Sequence, residues 1–130
     1  MNRENMLTWI EALESEQYPQ TQRTMYNGEG FCCLGVLCDI NGVEWKQDST
    51  GDFGYSDGEF HRGFPGQSVM DWLDVDLQKL RIPVTCLSPD QFDRLGSLGD
   101  HHPRISVASL NDYGFSFTEI AALLRKEFIK

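Results

Sequence analysis

Seven residues of this 130-residue chain have the widest chemical reach: Cys32, Cys33, Cys38, Cys86, His61, His101 and His102. Two chemistries could use them. A thiolate nucleophile needs a cysteine of lowered pKa. Gly30-Phe31-Cys32-Cys33 could set one at the start of a helix, where the dipole favours the anion, with His61, His101 or His102 as base. A zinc site needs about four thiolate or imidazole ligands, and no paired C-x-x-C or H-x-x-x-H spacing occurs. Cys32, Cys33 and Cys38 lie instead within Phe31-Cys32-Cys33-Leu34-Gly35-Val36-Leu37-Cys38-Asp39-Ile40, the most apolar stretch of the chain. That setting favours thiols packed as small core residues over a metal, and no metal or cofactor is expected. The acids Asp48, Asp52, Asp57 and Glu59 do not follow EF-hand spacing and read as solvated turn residues. No P-loop, G-x-G-x-x-G, G-x-S-x-G or H-E-x-x-H motif occurs.

A second set of side chains suits non-covalent binding. Tyr26, Trp45 and Tyr55, combined with the polar groups of Gln20, Asn111 and Asp112, are the expected lining of a ligand groove. Asn111 and Asp112 are also natural helix-end and turn residues in Leu110-Asn111-Asp112-Tyr113-Gly114.

The formal net charge of −9 is unevenly spread: residues 44–76 hold eight acids and two bases, residues 77–130 six acids and seven bases. A surface of that sign repels phosphate backbones, so direct nucleic-acid binding is not expected. Tyr113-Gly114-Phe115-Ser116-Phe117-Thr118-Glu119-Ile120-Ala121 resembles the turn and second helix of a helix-turn-helix, but the further helix that would enter a major groove is missing. At 40% hydrophobic residues, with three Trp, four Tyr and eight Phe, the chain can fill one core, so a single domain over 1–130 is expected. No apolar run is long enough to cross a bilayer. The N-terminus turns at once into an amphipathic pattern carrying Glu11 and Glu14, unlike a signal peptide, so a cytosolic location with reduced cysteines is expected.

The elements that must position these residues follow from periodicity and caps. Met6, Trp9, Ile10 and Leu13 make one helical stripe over roughly residues 4–15, ended before Gln20 by Pro19. Residues 21–25 read as a short strand or extended arm before the Asn27-Gly28 turn. Residues 31–40 fit either a strand or a helix; the helix puts Cys33, Val36, Leu37 and Ile40 inward, with Gly35 allowing close approach, and is preferred. Short aromatic runs over residues 43–61 predict a small antiparallel sheet. A short helix carrying Val69, Trp72 and Leu73 follows Pro65-Gly66. Ser88-Pro89-Asp90-Gln91 and Ser116-Phe117-Thr118-Glu119 are capping boxes that open two further helices, the first stopping near Gly96. Residues 104–112 predict a fifth helix closed by Gly114. The fold class is therefore α+β, about five helices around a short antiparallel β-sheet.

Three segments resemble a family of small proteins associated with bacteriophage and prophage genomes. They are Trp9 with Ala12-Leu13 and Ser15, followed by Tyr18-Pro19-Gln20-Thr21; Cys32-Cys33-Leu34-Gly35-Val36-Leu37-Cys38-Asp39 with the preceding Phe31; and Leu110-Asn111-Asp112-Tyr113-Gly114 running on to Ala121. The resemblance implies a phage-type accessory protein acting in the cytoplasm of a bacterial host. It favours the helical reading of residues 32–39 and supplies no catalytic residues.

The first functional expectation is thus a non-enzymatic binding protein that modulates the host by sequestering a small molecule or a host defence or regulatory protein. A small thiol-dependent hydrolase or transferase using Cys32 or Cys33 is the alternative, and an acidic DNA mimic built on residues 44–76 is a third. No membrane partner is expected, and a homo-oligomer is left open.

Overall fold

Burial of the Met6, Trp9, Ile10 and Leu13 stripe makes the first helix, α1 (Arg3–Glu14), the central strut of the molecule. The computed structural model describes residues 1–76 and 79–130. The last helix, α7 (Phe117–Phe128), lies along α1 and buries Ile120, Ala121, Leu123 and Leu124. A bidentate ion pair ties the two near their C-termini, Arg125 donating from Nε and Nη2 to the Glu14 carboxylate at 2.9 and 2.7 Å. That fork geometry holds both ends of the guanidinium.

The apolar segment is a helix, α2 (Cys33–Ile40), as preferred from the sequence. It packs on α1, where the buried Trp9 indole donates to the Cys33 carbonyl at 3.0 Å. Gly35 is the reason the preceding chain can cross α2 so tightly. A Cβ built there would sit 1.8 Å from the Met25 carbonyl oxygen. Residues 20–31 form a looped arm rather than the strand or extended segment expected over 21–25: residues 22–25 bend, Arg23 is left-handed, and isolated bridges run from Gln20 and Tyr26 to Phe31.

Strands β1 (Lys46–Gln47), β2 (Phe53–Ser56) and β3 (Phe60–His61) form the expected antiparallel sheet in the order β1-β2-β3. Next comes α3 (Gln67–Leu73), which buries Val69, Met70 and Leu73 and leaves Trp72 only half-buried. The N-terminus of α1 caps this helix: Asn5 Nδ2 donates to the Trp72 carbonyl at 2.7 Å and the Asn2 amide to that of Leu73 at 2.9 Å.

Both capping boxes form, opening α4 (Pro89–Leu95) and α7. Their third residues also meet: Gln91 Nε2 donates to Glu119 at 3.1 Å, and Arg94 pairs with the same carboxylate while lying over the Phe115 ring. The Arg94 guanidinium and these donors hold the Glu119 carboxyl down at about 2.

Two features correct the sequence reading. Residues 104–112 are not one helix but a strand, β5 (Arg104–Ser106), followed by α6 (Val107–Asp112). Ile105 pairs with Ile82 of β4 (Arg81–Pro83) in a second, two-stranded antiparallel sheet, and Ser106 then caps α6 by accepting from the Ser109 amide. Alternation over three residues is too short to outweigh a helical pattern in the sequence. A short helix, α5 (Ser97–His101), also follows the stop at Gly96. The described residues hold seven helices and two small sheets, an α+β domain.

Gly35→Ala is expected to destabilise the protein by about 3 kcal/mol, the upper end for overpacking, because the new methyl runs into the Met25 backbone, which cannot rotate away as a side chain could. Chemical denaturation measures it, and a wild-type midpoint would show that the arm can lift off α2 without cost.

Candidate functional site

The arm is fixed by one buried amide. Asn111, on α6, is wholly inaccessible to solvent. Its Oδ1 accepts from Gln20 Nε2 at 2.9 Å and from the Cys33 amide at 3.2 Å, while its Nδ2 donates to the Thr21 carbonyl at 2.8 Å. Gln20 completes the latch, donating to the Phe115 carbonyl at 2.8 Å and accepting from the Phe117 amide at 3.2 Å. An amide is the side chain that can accept and donate in one plane, which is what a site facing both N–H and C=O groups demands.

Asn111 can reach the arm because α6 ends abruptly. Gly114 adopts φ +86°, and the Phe115 amide bonds to Leu110 O while the Gly114 amide bonds to Asn111 O, a Schellman closure. The neighbouring Asp112 carboxylate accepts from the Arg23 amide at 2.7 Å. Arg23 is itself held at φ +69°, a left-handed conformation that is costly for a side chain with a Cβ. Gln20, Thr21, Gln22, Arg23 and Gly114 line an open hollow of about 590 Å³, and Tyr113, the residue before Gly114, is 46% exposed. Of the residues expected to bind ligand, Gln20, Asn111 and Asp112 therefore meet here, their polar atoms engaged with the chain itself.

The expected aromatic lining is elsewhere. Tyr26 stacks on Phe31 at 4.6 Å and meets Trp45 at 5.1 Å and Phe53 at 4.9 Å, and Trp45 meets Tyr55 edge-on at 5.8 Å. These rings pack on one another as a wall. Asp39, at the end of α2, anchors the wall by accepting from Tyr18 Oη and Trp45 Nε1, both at 3.0 Å. Burial and the Asp39 carboxylate push the Tyr18 phenol up to about 12.

The thiols and histidines do not assemble. Cys33 and Cys38 are fully buried and Cys32 nearly so. Burial pushes the Cys32 thiol up, Cys33 well up, and Cys38 to about 12. Cys33 Sγ lies 3.5 Å from the Val107 carbonyl and Cys38 Sγ 3.8 Å from Met25 Sδ. Cys32 does sit at the N-cap of α2, but desolvation outweighs the helix dipole there. His61 bonds through Nε2 to Asp57 at 2.6 Å and packs against Tyr55. His101 closes α5, and His102 follows it in extended backbone. Among the described residues, no group of three or more His, Cys, Asp or Glu side chains could hold a metal ion, and no helix is long and apolar enough to cross a membrane.

What the fold and the latch define is a small α+β domain organised around a pinned arm. Residues 1–128 match the family described as a domain of unknown function, DUF8296, and the chain belongs to that family. No curated protein and no solved structure matches the chain significantly.

Sequence reasoning gave Asn111 a structural role as a helix-end residue but missed its burial and its latch to Gln20. An isolated buried amide has no signature in a single sequence.

Asn111→Ala should cost about 3 kcal/mol, because it leaves the Thr21 carbonyl and the Cys33 amide unpaired out of water. Asn111→Asp should fare no better at neutral pH, since a carboxylate cannot donate to Thr21; urea unfolding of both variants is the check. A thiol reagent near neutral pH should modify Cys86 first, with Cys32, Cys33 and Cys38 protected until denaturant is added. Fast labelling of Cys32 in the folded protein would reopen nucleophilic catalysis.

Proposed function

We propose that this chain is a phage-type accessory binding protein that modulates a bacterial host in its cytoplasm, and that it does so by engaging a host protein. The phage association rests on the three segments that resemble phage and prophage proteins. In space those segments lie together: Trp9 bonds to Cys33, Cys33 to Asn111, and Asn111 to Gln20 and Thr21.

One observation carries the choice of binding over catalysis. The Arg23 backbone is held in a costly conformation by Asp112, on an arm that Asn111 makes rigid, at the edge of an open polar hollow. Strain of that kind persists where the surroundings enforce it, and rigidity set before contact lowers the entropy lost on association. Arg and Tyr are among the side chains enriched as anchors of protein interfaces; Arg23 lines this hollow, and the exposed Tyr113 immediately precedes Gly114 of its lining. A small molecule would bury little of its surface in so open a place, which favours a protein partner over a sequestered metabolite. The raised thiol pKa values weigh against a cysteine-dependent hydrolase or transferase. Against DNA mimicry, Asp48 is occupied by Thr50, the Asp52 amide and Arg62, and Asp57 by His61, so these carboxylates serve the turns.

A photo-crosslinking residue placed at Gln22, expressed in the host bacterium, should trap one discrete partner. The adduct should vanish in the Arg23→Ala, Tyr113→Ala double variant and persist when Lys130 is replaced instead. An adduct indifferent to Arg23 and Tyr113, or none at all, would sink this reading.

A further inference from the structure

The basic side chains of this acidic protein are not scattered. Residues 1–76 carry 14 acids and four bases, so positive charge is concentrated in residues 77–130. Within that region the short β4–β5 ladder gathers it on one face. Arg81 pairs with Ser106 and Pro83 with Arg104, while Ile82 and Ile105, opposite each other, are 1% and 3% exposed. Side chains alternate along a strand, so with both isoleucines in the core, Arg81, Arg104 and Ser106 share the outer face. His102, extended at φ −131°, precedes Arg104 by two residues and falls on the same side. These four side chains, with Ser109 from α6 and Leu98 from α5, line a hollow of about 180 Å³.

We propose that this hollow binds the phosphate group of a small phosphomonoester, a site separate from the arm and independent of the protein-binding role. The Arg104 guanidinium, the His102 imidazole and the Ser109 hydroxyl supply the donors, with the positive charge of Arg81 on the same face, and they suit a tetrahedral dianion whose oxygens each accept several bonds. The hydroxyls are already oriented: Ser106 Oγ donates to Ser109 Oγ at 2.9 Å, which leaves the Ser109 hydrogen to donate to an anion. Glu127 lies 3.6 Å from Arg104 and is an acidic group that competes for it. The hollow is smaller than the roughly 300 Å³ at which drug-sized sites begin, so it takes the phosphate and leaves the rest of the ligand outside, against Leu98. A nucleic-acid backbone is a poor source of that phosphate, because the net charge of −9 opposes a polyanion.

The test is an amide chemical-shift titration of the full chain with inorganic phosphate, at constant ionic strength against chloride. Saturable shifts should centre on residues 102–109. Arg104→Ala and His102→Ala should each weaken binding, the arginine change by about tenfold or more, the scale of one lost charge-assisted hydrogen bond. Glu127→Gln should tighten it. Glycerol phosphate should bind at least as well as inorganic phosphate. Shifts that fail to saturate, that chloride reproduces, or that none of the three substitutions changes would overturn the proposal. A phosphopeptide that binds more tightly than glycerol phosphate would overturn the small-molecule class.

Discussion

Asn111 is the polar side chain that the described core encloses completely, and two separate pieces of chain hang from its amide while its own helix leads into a third. Through Gln20 and Thr21 it pins the arm, through the Cys33 amide it sets the start of α2, and through the α6 backbone it fixes the turn into α7. Each bond is worth little against water, but each would leave a buried group unpaired if lost, so the latch acts as a condition on the fold more than as a source of stability. The same condition explains the glycines that matter. Gly35 must lack a side chain for Met25 to lie on α2, and Gly114 must turn left-handed for α6 to end beneath the arm.

A rigid arm has consequences at the surface. Tyr26 and Phe31 of the arm pack with Tyr18, Trp45 and Phe53 into one aromatic wall, and Asp39 ties that wall to the end of α2. These rings cover one another and remain half-buried, and the arm presents its polar edge, with Arg23, to solvent. Binding through such an edge draws on shape and on a few anchors more than on apolar area.

Charge is divided along the same lines. Among the acids of residues 44–76, Asp48 and Asp57 accept from turn amides in the hairpins, and the negative charge of the region makes it unattractive to polyanions. The bases collect near β4 and β5 and at the C-terminal half of α7, where Arg125 and Lys126 also suit the negative end of the helix. A protein of strongly negative net charge can in this way still offer one face to a small anion.

Periodicity and caps were enough to read most of the helices from the chain. The α1 stripe, both capping boxes and the Gly114 stop are local patterns, set by side chains within four or five residues of one another, and they survive folding because tertiary contacts reinforce them. The role of Gly35 was legible for the same reason, since a glycine in an apolar helical face signals close approach. Three things were not. The β4–β5 ladder joins residues more than 20 apart through three-residue strands, whose alternation is indistinguishable from a helix start until the partner is present. The aromatics were expected around a groove, but which rings face each other depends on how the arm crosses α2. What Gln20 and Asn111 bond to within the chain was decided only in space: the sequence alone determined that two amides were available, and the burial of Asn111, which removes water as its partner, turned its amide toward Gln20, Thr21 and Cys33.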